Sequence, residues 1–71
     1  MNANQWLAAY AEQLGIEPPT AEEFALLLDL AAEAAHSSER VAAPVACWLS
    51  ARAGRPPQEA LELARQVSAS D

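Results

Sequence analysis

The stretch Leu26–Leu49, LLLDLAAEAAHSSERVAAPVACWL, decides the fold of this 71-residue chain. It opens as an apolar helix, is interrupted by two serines, and continues into a segment where a proline stands near the start of another helix. It also holds an acid, the only histidine and an arginine, at Asp29, His36 and Arg40. Because helix packing alone does not require these polar residues, they are the candidate functional residues of the chain.

The helix that contains Asp29 is predicted to span about residues 21–35 and to lie at the centre of the fold. Its start has the pattern of a capping box, with Thr20 as the N-cap and Glu23 three residues later. Two apolar stripes run along it: Phe24, Leu27, Leu28, Ala31 and Ala35 form one, and Leu26, Leu30 and Ala34 form the other. A helix that is apolar on two sides is normally packed between other helices.

A first helix is predicted over residues 3–14. Asn2 or Asn4 can cap its start, and Gly15 suits the left-handed conformation that often ends a helix. Residues 16–19 contain two prolines and are expected to form an extended connector, because proline disfavours the helical conformation of the residue before it.

Two more helices are predicted after the central one. The third covers about residues 42–53, with Pro44 in its first turn, where a missing N–H does no harm, and Gly54 at its end. The fourth begins at Pro57, and residues 68–71 are expected to fray. The sequence therefore predicts a single all-α domain over the whole chain, a compact four-helix fold with short loops that contain proline and glycine.

The predicted core contains few large side chains, because 18 of the apolar residues are alanine. The residues expected to face inward from the three outer helices are Trp6, Leu7, Tyr10, Leu14, Val45, Trp48, Leu49, Ala60, Leu61, Ala64 and Val67. A chain of this length buries roughly 60% of its unfolded surface. Pairing of two copies is therefore a further way to bury apolar area.

The charge of the chain constrains its partners. Ten acidic residues oppose four arginines and no lysine, which gives a net charge of -6. A field of this sign repels nucleic-acid phosphates and anionic membranes, so we expect neither as a partner, and a basic or neutral protein fits better. The single cysteine, Cys47, cannot form an internal disulfide, and no long apolar run or targeting pattern is found. The expected location is the cytoplasm.

Asp29 and His36 each have several interpretations. Asp29 can reach solvent between the two apolar stripes, or form a partly buried ion pair with Arg40 that fixes the turn after the central helix. A catalytic role is the least favoured, because no second acid lies at a suitable spacing on the apolar part of the helix. His36, about two turns further along, can hydrogen-bond a carbonyl at the helix end or act as a pH-sensitive or partner-binding group.

No catalytic or cofactor-binding motif is found. Asp29, His36 and Cys47 match no compact metal-ligand spacing, and Cys47 has no neighbouring base or cation to activate its thiol. No glycine-rich loop is available to hold a phosphate. The chain has the length and acidity of an acyl carrier protein, but residues 19–21 read Pro-Thr-Ala where those proteins have Asp-Ser-Leu. We therefore predict no enzyme activity, no cofactor and no metal.

The segment Leu27–Leu49 resembles a family of small bacterial helical domains, domain of unknown function 6457. The matching residues are Leu28-Asp29-Leu30-Ala31, Ala35-His36, Glu39-Arg40 and Ala42-Ala43-Pro44, and Trp6-Leu7 matches the tryptophan-containing first helix. Family members often have proline just after the arginine, where this chain has Val41, which loosens the expected rigidity of that turn. Members of the family occur alone, fused to, or encoded near molybdenum cofactor guanylyltransferase, which makes molybdopterin-guanine dinucleotide.

The resemblance implies an association with molybdenum cofactor maturation. Asp29, His36 and Arg40 are then the candidate residues of a contact surface for a partner, or of a polar cluster that holds the structure in place. The leading hypothesis is a non-catalytic helical accessory or protein-interaction module, with the guanylyltransferase as its candidate partner. One alternative is a small protein that binds an anionic ligand or cofactor through His36 and Arg40, since arginine suits such groups. Another is a purely structural homodimer in which the polar residues only fix the turn.

Overall fold

The computed structural model describes residues 1–70 and confirms the all-α prediction. The helices are α1 (Ala3–Leu14), α2 (Ala21–Ser37), α3 (Ala42–Arg52) and α4 (Pro57–Ala69). Between residues 1 and 70 there is no strand. None of these helices is long and apolar enough to cross a membrane.

Local sequence signals set the ends of the helices. Thr20 Oγ1 accepts a hydrogen bond from the Glu23 N–H at 3.1 Å, and Glu23 accepts one from the Thr20 N–H at 2.8 Å, so the predicted capping box forms. Asn2 and Gln5 make the equivalent pair of hydrogen bonds at the start of α1. Gly15 ends α1 with φ 75°, a left-handed conformation that glycine adopts without steric cost.

The central role predicted for α2 is confirmed. Both α3 and α4 pack closely against it. Leu30 of α2 is only 1% exposed and meets the buried Ala60 and Leu61 of α4. The partly buried residues packed against this core are Leu26, Leu27, Cys47 and Ala64. The core therefore lies at the middle of α2, between the two helices that follow it in sequence.

Helix α1 lies apart from this core. Its one buried residue is Ala11, and its Leu7 borders a groove that also contains Pro19 and Phe24. The helix therefore sits against the proline connector and the first turns of α2. Its position contributes to an elongated molecule of 38 × 23 × 18 Å.

Part of the predicted core is wrong. Eight of the large residues that were placed in it are exposed, Trp48 by 57%. They are Leu28, Trp6, Tyr10, Leu14, Val45, Trp48, Leu49 and Val67. In α3 the cause is the choice of contact face. Its small residues Ala43, Ala46 and Cys47 are half-buried and bring its backbone close to α2, so its large residues point outward. In α1 the cause is its separation from the core.

Helix α4 extends into the segment that is expected to fray, and the fraying itself stays a prediction. Ser68 and Ala69 are the last part of α4, and Ser70 closes the helix through backbone hydrogen bonds to Gln66 and Val67. Asp71, which the prediction also included, lies outside the described residues. The central helix α2 likewise extends two residues past its predicted end, to Ser37.

Candidate functional site

The structure does not join the three candidate residues into one bonded cluster. Asp29, His36 and Arg40 are all exposed. Within residues 1–70 the ion pairs are Arg55–Glu59 and Arg65–Glu33, so the pair between Asp29 and Arg40, one of the two interpretations of Asp29, is not formed. Asp29 reaches solvent instead, which is the other interpretation of its position. A role for these three residues at a partner surface stays a prediction.

A different polar cluster lies at the end of α2, around Glu33. Ser37 and Ser68 both donate hydrogen bonds to Glu33 Oε2, at 2.9 and 3.0 Å. The two serine oxygens are 2.7 Å apart. Because each hydroxyl has one proton, only two of these three hydrogen bonds form at any moment. The cluster connects α2 to α4 through side chains 35 residues apart.

The Glu33 carboxylate is held in its charged form. Hydrogen bonds from Ser37 and Ser68 lower its pKa, and the charge of Arg65 lowers it further, whereas desolvation acts in the opposite direction. Arg65 Nε is 3.9 Å from Glu33 Oε1, too far for a hydrogen bond. Oε1 is therefore able to accept a hydrogen bond from another donor.

An apolar groove lies next to this cluster, between α3 and α4. We call it the α3–α4 groove. Leu30 lies at its floor, Ala46 and Leu49 line one wall, and Ala64 and Val67 line the other. It exists because α3 and α4 each pack on α2 and not closely on one another. The side chains that would close it, Leu49 and Val67, are exposed.

The Glu33 cluster forms the polar end of the α3–α4 groove. The region lined by Leu49, Val67, Glu33, Ser37 and Ser68 has a volume of about 640 Å³. The groove therefore combines apolar walls with a carboxylate at one end. Neither Asp29, His36 nor Arg40 lines this part of the groove.

The charge of the chain is unevenly divided between its halves. Residues 1–33 contain six acidic residues and no arginine. Residues 34–71 contain four acidic residues and all four arginines, so their charges cancel. The whole net charge of -6 therefore belongs to α1, the connector and most of α2, whereas the segment that forms α3 and α4 is neutral overall.

The structure bears on two of the chemistries weighed from the sequence, a reactive Cys47 thiol and a metal site. Cys47 is half-buried, and this burial raises the pKa of its thiol, which disfavours the reactive thiolate. Among residues 1–70, no three His, Cys, Asp or Glu side chains are grouped so that they could hold a metal ion.

Comparison with known proteins identifies the family. The family model for a domain of unknown function, DUF6457, matches residues 1–70. The chain belongs to DUF6457. This confirms the family part of the resemblance based on Leu27–Leu49. No curated protein and no solved structure is similar enough to this DUF6457 domain to match it.

Proposed function

We propose that this DUF6457 domain is a non-catalytic protein-interaction module whose α3–α4 groove binds an amphipathic helix of a partner protein. The observation that carries the proposal is the open groove, in which the exposed Leu49 and Val67 flank the buried Leu30. Water-exposed apolar surface of this shape is stabilised when a complementary helix covers it.

The dimensions of the groove fit a short helix. The 11 residues of α3 extend about 16 Å at a rise of about 1.5 Å per residue, so a partner helix of about three turns matches this wall. Such a helix needs apolar residues at positions i, i+3 or i+4, and i+7 to fill the groove. Its other face stays polar and remains in water.

The charges around the groove favour a partner with a basic residue. Glu33 is ionised, is partly exposed, and has an oxygen available for another donor. A lysine or arginine at the end of the partner helix would pair with it, and the net charge of -6 would accelerate the approach of a basic partner. We therefore expect binding that weakens as the salt concentration rises.

Molybdenum cofactor guanylyltransferase is the partner that we propose. The support for it is the sequence resemblance around Asp29, His36 and Arg40, in a family whose members are fused to or encoded near that enzyme. In this proposal the domain docks on the enzyme as an accessory and needs no cofactor or nucleotide of its own.

Calorimetric titration of a molybdenum cofactor guanylyltransferase into the domain tests the proposal. Val67→Glu places a charge in the groove at a side chain that is 71% exposed. It should weaken binding about tenfold or more, the effect of losing about 1.4 kcal/mol of contact. Leu28→Glu makes the same chemical change on α2 at a residue that is 58% exposed, and should bind as the unmodified domain does. Absence of binding, or equal loss in both variants, would contradict the proposal.

A further inference from the structure

Helix α3 presents a second apolar surface, on the side opposite its contact with α2. We call Val45 and Trp48, together with Val41 just before the start of α3, the α3 outer stripe; Val41, Val45 and Trp48 are 71%, 54% and 57% exposed. Their spacing of four and then three residues places them on one face of a helix. The side of α3 turned to the core contains Ala43, Ala46 and Cys47 instead, so the stripe has no partner within residues 1–70.

The chain exposes more surface than a monomer of its mass normally does. Its accessible surface is 5524 Å². A folded monomer of 7.5 kDa is expected to expose about 4,200 Å². The excess of about 1,300 Å² exceeds the area of about 800 Å² that each partner covers in a standard interface. This excess belongs to the whole chain, including α1, and the exposed side chains of the α3 outer stripe contribute to it.

The charge distribution indicates which face two copies would share. Contact through the half formed by residues 1–33 would bring two charges of -6 together, which costs free energy. The α3 outer stripe belongs to the neutral half, so contact there keeps the two acidic regions apart. An apolar stripe within an uncharged half is suited to a second copy of the same chain.

We propose that two copies pair through the α3 outer stripe, with their α3 helices antiparallel about a two-fold axis. In that arrangement Arg52, at the end of α3, lies beside Glu39 of the other copy, just before the start of its α3. Position 45 lies close to the midpoint between residues 39 and 52, so the two Val45 side chains meet near the axis. Both opposite-charge pairs form at once, because an isologous interface repeats each contact.

The position of Arg52 supports this pairing. Its guanidinium lies over the Trp48 ring, 5.2 Å from the ring centroid, and a cation–π interaction holds it beside the stripe. The α3–α4 groove lies between Leu49 and Val67 and not on the stripe, so the dimer would present two grooves. The pairing goes beyond the proposed groove function and does not depend on it.

Analytical ultracentrifugation over a wide concentration range tests the pairing. We expect a species of twice the 7.5 kDa chain mass. Val45→Glu should abolish it, while Leu28→Glu, at an exposed leucine of α2, and Val67→Glu, in the groove, should leave it unchanged. Circular dichroism should show equal helix content in all variants, since each changed side chain is exposed in the monomer. A monomer at every concentration, or a dimer that tolerates Val45→Glu, would overturn the proposal.

Charge-exchange and cysteine variants test the antiparallel arrangement. Glu39→Arg and Arg52→Glu should each weaken the dimer, whereas the double variant should restore it by exchanging the charges of each pair. In a Cys47→Ala background, Val45→Cys should form a disulfide-linked dimer on mild oxidation, and Leu28→Cys should not. Additive loss in the double charge variant, or no selective cross-link at position 45, would exclude this orientation.

Discussion

Ser68 Oγ on α4 lies 3.0 Å from Glu33 Oε2 on α2, and this hydrogen bond fixes the end of the α3–α4 groove. Most of the other side-chain hydrogen bonds within residues 1–70 join neighbours three or four positions apart. The Glu33–Ser68 contact instead connects two helices. The shape of the groove therefore depends on a small polar cluster as well as on the apolar core.

Removing the Ser68 hydroxyl should loosen the contact between α2 and α4. We expect Ser68→Ala to lower the free energy of unfolding by about 1 kcal/mol, the usual net value of a hydrogen bond to a partly exposed group. Urea denaturation followed by circular dichroism measures the change. Ser70→Ala is the matched control, because Ser70 Oγ bonds only the nearby Val67 carbonyl, and it should have a smaller effect. Equal effects of the two substitutions would argue against the interhelical role.

The low pKa of Glu33 predicts a dependence of stability on pH. Because folding lowers the pKa, the charged carboxylate stabilises the folded state at all pH values above the ordinary glutamate pKa of about 4.3. This stabilisation is lost as the pH falls from that value through the pKa of the folded state. Glu33→Gln should therefore flatten part of the fall in melting temperature between neutral and acid pH, and an unchanged pH profile in this variant would contradict the role of Glu33.

The core position Leu30 should be the most sensitive apolar site on α2. Leu30→Ala removes a side chain that is 1% exposed and should cost about 2–5 kcal/mol, which is a large part of the stability of a domain this small. Leu28→Ala, two residues away and exposed, should change stability by about 0.5 kcal/mol or less. Chemical denaturation of both variants compares them directly, and similar losses would show that α2 is oriented differently from the structure.

The contribution of the capping box at the start of α2 to the stability of the domain should be measurable by itself. Thr20→Ala removes the acceptor for the Glu23 N–H and should lower stability by about 1 kcal/mol. Thr20→Ser keeps the hydroxyl and should restore most of the loss. Thermal unfolding of the two variants checks this, and an alanine variant as stable as the serine variant would contradict the assignment of Thr20 as the N-cap.

Local signals in the sequence were sufficient to predict the helices. The hydrogen bonds of Thr20 with Glu23, and the left-handed Gly15, involve residues close together in the chain, so their types and spacing determine the outcome. The start of α4 at Pro57 follows in the same way. The N–H that proline lacks would have no intrahelical partner at the first helical position, so no hydrogen bond is lost there.

The orientation of α3 could not be predicted in this way. Trp48 was expected inside because large apolar residues normally dominate a core, but α3 instead turns Ala46 and Cys47 toward α2. Both faces of α3 are apolar, so its pattern does not distinguish them. The choice depends on how closely α3 approaches α2, which is a property of the tertiary structure.

Only part of the candidate site could be predicted from the sequence. The four-residue spacing of Glu33 and Ser37 could have indicated a hydrogen bond along α2. Nothing local linked either residue to Ser68, since that contact requires the packing of α4. Asp29 is conspicuous in the sequence because it stands between Leu28 and Leu30, but its exposure satisfies it without any partner.

The separate position of α1 implies two levels of cooperativity in this small domain. With Ala11 as its one buried residue, α1 has little to lose when it detaches, whereas α2 and α4 share the core around Leu30. The amide protons of α1 should therefore exchange with deuterium through local opening, and those near Leu30 only through global unfolding. Helix α1 would then detach and reattach while α2, α3 and α4 stay folded.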